Sequence, residues 1–259
     1  MANQAAWLPA KGAQLEVKES VLQKPGPDEV LIRNHAIALN PIDQKMQDSG
    51  LLVETFPVIL GHEVAGEIEE VGEDVTKFSK GDRVVGLAIA VRTKNPAHAG
   101  FQLYTLAPSY IVAHIPPTLP YANAAALPIG LATAAAGLYE PCYLNLPPPG
   151  TEPPTTTTTA TTTAKPRSIL IWGGSSTVGS AAIQLARASN LVVVATASAP
   201  NLAYVRELGA THAFAHSGAD VVEEVVAALE GTELVGAYDV ISEAETVARC
   251  GEVLGRVGG

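Results

Sequence analysis

Residues 60–66 read LGHEVAG, and the adjacent pair His62-Glu63 is the first place where side-chain chemistry could be expected. An imidazole next to a carboxylate can contribute to a zinc site, but such a site needs three or four nitrogen, sulfur or oxygen ligands. This pair alone therefore leaves two interpretations open: a metal ligand, or a hydrogen-bonding pair without a metal.

The glycine-rich stretch 169–179, ILIWGGSSTVG, is typical of a strand, a tight turn and the start of a helix. We expect Gly174 to permit the turn and Gly179 to let the helix pack closely. The N–H groups and positive dipole end of the helix would then hold a pyrophosphate. The predicted cofactor-binding residues of this turn are Gly174, Ser175, Ser176, Thr177, Val178 and Gly179. Ser176 stands where G-x-G-x-x-G has its central glycine, and the alternative is a tight turn without a ligand.

The end of the second predicted strand favours NADPH over NADH as the cofactor. NAD sites place an acid there, about 20 residues beyond the glycine turn, to bind the ribose hydroxyls. Residues 196–198 read TAS, without an acid that would repel a 2′-phosphate. Candidate partners of that phosphate are Ser198, Asn201, Tyr204 and Arg206, although Arg206 could equally be an ordinary surface residue.

The composition excludes several classes of protein. With 259 residues and 47% apolar side chains, the chain can build a substantial core. A net charge of -10 without any Lys/Arg cluster argues against a nucleic-acid partner. The two cysteines, Cys142 and Cys250, cannot form a disulfide framework, which fits a reducing compartment. The N-terminus does not read as a secretory signal, so we expect a cytoplasmic protein.

The apolar stretch 122–139 could be either a membrane span or a buried helix. It is uncharged for 18 residues, which is long enough to cross a bilayer. Because it is mostly Ala and Gly, with Pro128 inside it, we expect a buried helix and no membrane partner.

The order of predicted elements indicates an α/β chain with two domains. Short strands with Gly and Pro between them, such as 30–37 and 64–71, predict a β-rich, barrel-like domain over residues 1–125. From residue 126 the pattern changes to parallel βα units. Strands are predicted at 168–172, 191–196, 213–216 and 237–242, and helices at 178–190, 201–208 and 221–229.

A Thr/Pro-rich insert at residues 147–166 interrupts the second domain. It has nine Thr and six Pro, and no apolar residue larger than Ala, so it cannot bury a face. We expect a solvated, disordered loop. A Thr-rich strand is the alternative.

Four phrases together resemble the medium-chain dehydrogenase/reductase superfamily. They are HEVAGEIEEVG at 62–72, KGDRVVG at 80–86, the glycine turn with its helix, and ELGATHAF at 207–214. ALNPIDQK at 38–45 and the GGSSTVG form are similar to the zinc-independent branch, particularly fungal trans-acting enoyl reductases and quinone oxidoreductases. The resemblance implies a GroES-like β-rich domain followed by a Rossmann parallel sheet.

The resemblance also implies that His62 is not a metal ligand. Zinc-dependent members take a Cys from the segment that matches residues 40–43, the His of GHE, and a third ligand further along the chain. Asn40 stands in place of that Cys, and Ile129 lies near the third position. We therefore expect no metal, and expect His62-Glu63 to form hydrogen bonds at the rim of the interdomain cleft or simply to belong to a strand.

For catalysis, the resemblance implies hydride transfer from NADPH to an activated C=C bond of an enoyl thioester, or to a quinone, beside a polyketide synthase. It places Asn40 near the nicotinamide and Thr133 at its carboxamide, while Lys45 could polarise a substrate carbonyl. The alternative for Asn40 and Asp43 is that they only shape a turn before a helix.

The resemblance ends within the Rossmann domain, because 251–259, GEVLGRVGG, matches a phrase that precedes a fifth strand in the family. We therefore expect an incomplete sheet whose fourth strand is an edge with an uncovered apolar face. Two other functions remain open: a non-catalytic fragment that binds a nucleotide or a partner, and a zinc-dependent alcohol dehydrogenase.

Overall fold

The computed structural model describes residues 2–151 and 165–257. The chain divides into two units, Met1–Ile129 and Gly130–Gly259. Most of the Thr/Pro-rich insert predicted as a loop lies outside the described residues.

The first unit consists of eight short strands and three helices. The strands are β1 (Asn3–Leu8), β2 (Glu16–Ser20), β3 (Glu29–Ile37), β4 (Val58–Ile59), β5 (Glu63–Val71), β6 (Arg83–Leu87), β7 (Tyr104–Pro108) and β8 (Val112–His114). The helices are α1 (Pro41–Ser49), α2 (Ala90–Thr93) and α3 (Tyr121–Ala125), with 3₁₀ turns at Pro96–His98 and Ser109–Ile111. The strands form a three-stranded sheet of order β2-β1-β4 and a five-stranded sheet of order β7-β3-β5-β6-β8, both antiparallel.

The five-stranded sheet positions the HE pair through the alignment of β3 with β5. Alternating residues such as Val30 and Ile32 on β3 and Val64 and Ile68 on β5 share one apolar cluster. The strands come very close at Gly66, where a Cβ would lie 2.0 Å from the Arg33 carbonyl oxygen. Glu63 therefore begins β5 beside the end of β3. These contacts confirm the predicted curled β-sheet architecture of this region.

The second unit is a parallel sheet covered by helices. Its strands are β9 (Arg167–Trp172), β10 (Val192–Ala197), β11 (His212–Ala215) and β12 (Glu233–Asp239), in the order β11-β10-β9-β12. Its helices are α4 (Pro128–Tyr139, which begins two residues before the unit), α5 (Thr177–Ala188), α6 (Leu202–Glu207), α7 (Val221–Leu229) and α8 (Ala244–Val257), with a 3₁₀ turn at Ala199–Asn201.

Strand β9 shows why helices lie on both faces of this sheet. Successive side chains of a strand point to opposite faces. Ile169 and Ile171 join one buried cluster with residues of α4, α5 and α6. Leu170 and Trp172 join a second cluster with residues of α7 and α8. The second unit is therefore a doubly wound sheet, as the alternation of strands and helices predicts.

The fourth strand of this sheet differs from its predicted range of 237–242. Its pairing with β9 begins at Glu233, and the register shifts between Leu234 and Ala237. It ends at Asp239, whose Oδ1 accepts hydrogen bonds from the Ile241 and Ser242 N–H groups at 3.0 and 3.2 Å. Within the described chain β12 is an edge strand, as expected, but its face is not uncovered, because α8 packs against it.

The GEVLGRV phrase at residues 251–257 forms the second half of α8. Its Val253 is fully buried beside Cys250 in the cluster of α7 and α8. Burial raises the pKa of the Cys250 thiol to about 12, so this thiol stays protonated at neutral pH.

Residues 121–139 form two helices rather than the predicted single buried one. The break falls at Ala126-Leu127, before Pro128, which cannot supply an N–H to a continuing helix. In the described part of the chain this stretch has the length and apolar composition needed to cross a membrane, and 28% of it is buried. Such a segment is weak evidence for a membrane span, since core helices of soluble proteins meet the same criteria.

Helix α4 provides a matched test of this packing. Leu138 is fully buried in the cluster with Ile169 and Ile171, whereas Leu131 on the same helix is 49% exposed. We expect Leu138→Ala to lower the free energy of unfolding by about 2–5 kcal/mol, because it leaves a cavity. Leu131→Ala should change it by less than about 0.5 kcal/mol. Denaturant titration of both variants measures the difference, and equal losses would contradict the assigned packing of α4.

Candidate active site and cofactor site

The Asp43 carboxylate joins the start of α1 to the GHE segment. Its Oδ2 accepts the Asn40 N–H at 2.9 Å, which is the helix-start contact expected of an Asn-Pro turn. Its Oδ1 accepts the Gly61 N–H at 3.1 Å and lies 2.8 Å from the His62 Nδ1. With Nδ1 carrying its proton toward Asp43, the Nε2 atom of His62 is left for other chemistry.

Glu63, the residue after His62, forms a second side-chain pair, with Asn40. Its side chain is buried, with 1% of the residue exposed. One carboxylate oxygen accepts from the Asn40 amide at 2.6 Å, and the other accepts from the Ile129 backbone N–H at 2.7 Å. Three segments that the sequence analysis linked to the site, at residues 40–43, 62–63 and 129, therefore meet around this carboxylate.

Burial controls the ionisation of Glu63. Loss of hydration raises the pKa of its carboxyl above the ordinary value of 4.5, and the nearby Asp43 charge adds to the rise. The bonds from Asn40 and Ile129, together with the His62 charge, act in the opposite direction. Glu63 is thus a carboxyl group that retains protons at a higher pH than an exposed glutamate.

The side chains of Asn40 and His62 each have a carboxylate as partner, Glu63 and Asp43 respectively. Asn40 uses its amide nitrogen to bind Glu63, and an amide is a weak ligand for zinc. Among residues 2–151 and 165–257, no group of three or more His, Cys, Asp or Glu is arranged to hold a metal ion.

Lys45, the third predicted catalytic residue, lies on an exposed part of α1. Its backbone carbonyl accepts the Ser49 hydroxyl at 2.6 Å, and the structure does not bring it into the Asp43 or Glu63 pairs. Its proposed contact with a substrate carbonyl remains a prediction.

The glycine turn of the second unit lies at the carboxyl end of β9. The backbone is left-handed at Gly173 (φ 88°) and not at Gly174, so Gly173 makes the turn that we expected Gly174 to make. Gly174 instead lets the Ile183 side chain pack against the turn, since a Cβ there would come within 2.9 Å of it. At Gly179 a Cβ would lie 2.3 Å from the Gly173 carbonyl oxygen, so the predicted close approach of the helix is confirmed.

Ser176 accounts for the imperfect glycine pattern. Its φ is -70°, which any residue adopts, and its hydroxyl accepts the Gly179 N–H at 3.0 Å. It therefore acts as the N-cap of α5. Thr177 and Val178, the first residues of that helix, have N–H groups without an acceptor inside the helix. These donors, at the positive end of the helix dipole, fit a pyrophosphate.

A cleft of about 630 Å³ extends from this turn across the carboxyl ends of all four parallel strands. Its lining comes from the turn, from the ends of β10 and β11, and from the loop and helix after β12: Trp172, Gly173, Ser175, Ser176, Ala197, Ser198, His216, Ser217, Ile241, Glu243, Glu245, Thr246 and Arg249. In open parallel sheets, ligands bind at this edge. The cleft, the turn and the free helix N–H groups together fit a dinucleotide.

The four residues predicted to bind a 2′-phosphate do not occupy equivalent positions. Ser198 lines the cleft directly after β10, and the Asn201 amide donates to its hydroxyl at 3.0 Å. The Tyr204 hydroxyl lies 3.1 Å from the Ser180 hydroxyl. The Arg206 guanidinium donates to the Ala213 carbonyl at 2.9 Å, and neither Tyr204 nor Arg206 belongs to the cleft lining.

The sequence analysis missed three residues of the cleft, His216, Ser217 and Arg249. His216 and Ser217 follow β11, one strand beyond the position usually searched for cofactor specificity. Arg249 lies on α8, a helix that the sequence analysis did not predict. These residues could have been sought with the rule that ligands of an open parallel sheet bind at the carboxyl ends of its strands.

Thr133 lies on an exposed part of α4. Its backbone carbonyl accepts the Tyr238 hydroxyl at 2.9 Å, and the Tyr238 ring fills the space beside Gly137, where a Cβ would be 2.5 Å away. Tyr238 thus fixes α4 against β12, and the contact of Thr133 with a nicotinamide stays a prediction.

Comparison with known proteins agrees with both halves of this arrangement. Residues 26–117 match the alcohol dehydrogenase GroES-like domain family, and residues 177–259 match the zinc-binding dehydrogenase family. The chain is 43% identical over 258 residues to trans-enoyl reductase himH of Aspergillus japonicus, covering 99% of this chain and 72% of that protein. The chain belongs to the medium-chain dehydrogenase/reductase superfamily. The relatives with which it aligns are named reductases and dehydrogenases, and it is an oxidoreductase.

Two solved structures show the same superfamily fold. A Rhizobium etli protein assigned as a zinc-dependent alcohol dehydrogenase superposes with a TM-score of 0.78 at 31% identity, over 98% of this chain and 70% of that one. A quinone oxidoreductase of Pseudomonas syringae pv. Tomato superposes with a TM-score of 0.69 at 28% identity, over 96% and 69%. The medium-chain dehydrogenase/reductase fold therefore extends over nearly the whole chain.

The raised pKa of Glu63 predicts a pH dependence of stability. Because the folded carboxyl binds a proton more tightly than the unfolded one, its contribution to stability falls as the pH rises from about 4.5 through the folded pKa. Glu63→Gln removes this contribution and can keep both hydrogen bonds if the Asn40 amide turns its oxygen toward Gln. We expect the stability of the wild type relative to Glu63→Gln to decrease between pH 4.5 and 8. Denaturant titrations across this range test it, and parallel profiles would contradict the assignment.

The close approach between Gly179 and Gly173 predicts that adding a methyl group at Gly179 strongly lowers stability. Gly179→Ala places a Cβ against the Gly173 carbonyl oxygen, so the turn must move. We expect a loss of stability of at least about 2 kcal/mol and loss of cofactor binding. Gly251→Ala on α8 is the control, because no atom lies within 4 Å of its Cβ position. The control should be neutral or stabilising by up to about 1 kcal/mol. Equal thermal midpoints for the two variants would refute the assigned turn geometry.

Proposed function

We propose that the chain is an NADPH-dependent, zinc-independent reductase of an activated carbon–carbon double bond. The first substrate class is an enoyl thioester on a carrier, beside a polyketide synthase, and the second is a quinone. The superfamily supports a nicotinamide cofactor. The enoyl class is supported by the name of the Aspergillus japonicus relative, and the quinone class by that of the Pseudomonas syringae structure.

The observation that carries the proposal is the pairing of Asn40 with Glu63 beside Asp43 and His62. The resemblance assigns the ligand positions of a zinc-dependent enzyme to Asn40, His62 and the vicinity of Ile129. The Asn40 and His62 side chains are bound to the carboxylates of Glu63 and Asp43, which already accept hydrogen bonds. The donor set does not suit a metal, because His62 is the only strong nitrogen ligand among them. An alkene conjugated to a thioester already has its electrophilic carbon activated by the carbonyl group, which removes the need for a Lewis acid.

The bound cofactor would supply a hydride to the β-carbon of the enoyl group. The residues of this chain would then orient the substrate and provide for the proton that the α-carbon requires. Asn40 is proposed to contact the reacting groups, Lys45 to meet the thioester carbonyl, and Thr133 to contact the carboxamide. His62, with Nδ1 held by Asp43, is placed to pass a proton through Nε2.

The preference for NADPH is supported by the end of β10. Ser198 stands there in place of the acid of NAD sites, and its hydroxyl would tolerate a 2′-phosphate. The acids that line the cleft, Glu243 and Glu245, follow β12 and not β10. We further propose a cytoplasmic location, as the composition suggests.

The test is a turnover assay of the purified 259-residue chain with each cofactor. NADPH consumption is followed with a short enoyl thioester, a benzoquinone and a saturated ketone, then repeated with NADH, and zinc is measured on the same sample. We expect NADPH consumption with the enoyl thioester, unaffected by a chelator, and less than one zinc per chain.

Each alternative function has its own outcome. Stoichiometric zinc and ketone reduction abolished by a chelator would instead support the zinc-dependent class, to which the Rhizobium etli protein is assigned. Cofactor binding without turnover of any acceptor would support a non-catalytic nucleotide-binding protein. Faster turnover with NADH would overturn the cofactor preference.

A further inference from the structure

Arg249 is the one permanently charged cation among the residues that line the cleft. The other ionisable side chains of the lining are His216, Glu243 and Glu245. A dinucleotide brings only negative charge to this cleft, so the position of its single guanidinium determines where an additional phosphate is favoured.

A continuous series of contacts places Arg249 at the ends of β10 and β11. Ala197, the last residue of β10, pairs with Ala215 of β11 and accepts the His216 N–H at 3.0 Å. The His216 carbonyl in turn accepts the Arg249 Nη1 at 2.7 Å. Ser198 follows Ala197 directly. The guanidinium is therefore linked to the end of β10 by two successive hydrogen bonds, through His216. In a Rossmann sheet the adenosine ribose lies at that strand end.

Arg249 has hydrogen-bonding capacity left for a ligand. A guanidinium carries five N–H donors, and two contacts are assigned here: to His216, and to Glu245 at 2.6 Å. The Glu245 side chain is 71% exposed. An exposed ion pair of this kind is weak, so a phosphate could replace the Glu245 carboxylate at little cost.

The helix that carries Arg249 is itself fixed. Asp239, at the end of β12, accepts hydrogen bonds from the loop before α8 and from the Thr246 hydroxyl of α8. The Arg249 guanidinium lies 6.0 Å from the Trp172 ring centroid, at the edge of the cleft. The residue is therefore held at its place before any ligand arrives.

We propose that Arg249, together with Ser198 and Ser217, forms the site of the 2′-phosphate and determines the preference for NADPH. The inference deepens the proposed function and rests on it. The ligand group is a phosphate monoester with close to two negative charges at neutral pH, which suits a planar guanidinium. Glu245 then acts as an exchangeable counter-ion of the free protein. Arg206, bonded to the Ala213 carbonyl outside the cleft lining, is not required.

The test is equilibrium binding of adenosine 2′,5′-bisphosphate and of 5′-AMP to the full chain, measured by calorimetry. These probes differ only in the 2′-phosphate, and their binding does not depend on turnover. We expect Arg249→Gln to weaken the bisphosphate by about tenfold or more and 5′-AMP by less than about twofold. Arg249→Lys should keep part of the difference in affinity between the bisphosphate and 5′-AMP. Glu245→Gln should strengthen the bisphosphate several-fold, because it removes the competing carboxylate.

Arg256→Gln is the matched control. Arg256 lies on the same helix, is paired with Glu223 and Glu252, and does not line the cleft, so both affinities should be unchanged. Thermal midpoints without ligand identify any variant that does not fold, in which case Glu245→Gln decides alone.

Each further outcome has a separate meaning. If the wild type prefers the bisphosphate and Arg249→Gln keeps that preference, the inference is overturned while NADPH use stands. If Arg249→Gln weakens the binding of both probes equally, Arg249 has a merely structural role and the inference is overturned as well. The inference is also overturned if Arg206→Gln loses the preference for the bisphosphate. A wild type that binds both probes equally would refute the NADPH preference itself.

Discussion

A carboxylate excluded from water must find donors inside the protein, and Glu63 finds them on two segments far from it in sequence. The Asn40 amide and the Ile129 N–H occupy its two oxygens, while the neighbouring Asp43 carboxylate accepts from Asn40, Gly61 and His62. Removing either acid would leave buried donors unpaired, which costs more than the bond itself contributes. The start of α1, the GHE segment and Ile129 are therefore positioned together within the first unit.

This arrangement gives both polar side chains of the motif a carboxylate partner. Asn40 is bound to Glu63, and His62 is bound to Asp43. The same bonds keep the His62 imidazole in one orientation.

The second unit depends on a different constraint, the absence of side chains at its glycine turn. Gly173 supplies the left-handed backbone, and Gly174 and Gly179 leave no space for a Cβ. The resulting turn brings Gly173, Ser175 and Ser176 into the lining of the cleft. The ionisable side chains that line the cleft come from elsewhere, after β11 and after β12.

Much of this could be predicted from the sequence, and the parts that could not have physical reasons. The glycine turn and the parallel strands were predicted because their signals are local: small residues at a turn, and alternating apolar runs. The glycine that makes the turn was misplaced by one residue, because sequence spacing does not distinguish a φ requirement from a packing requirement. The range of β12 was wrong because Asp239 ends the strand through its own hydrogen bonds.

Predictions that depend on long-range contacts were the weakest. Whether Arg206 or Arg249 faces the cleft cannot be read from their positions in the chain, since Arg206 follows the expected strand and Arg249 lies well beyond it, on α8. The bond between Arg249 and the His216 carbonyl joins α8 to the end of β11. The role of Glu63 as the shared acceptor of Asn40 and Ile129 likewise emerges only from the folded chain.

The measurement that tests the central claim most directly is isotope transfer from NADPH that carries deuterium at the transferable C4 position. The account predicts that an enoyl thioester incubated with the chain and this cofactor yields the saturated thioester with a single deuterium at the β-carbon, read by mass spectrometry and NMR. Saturated product without deuterium, or deuterium delivered to a carbonyl carbon instead, would contradict it.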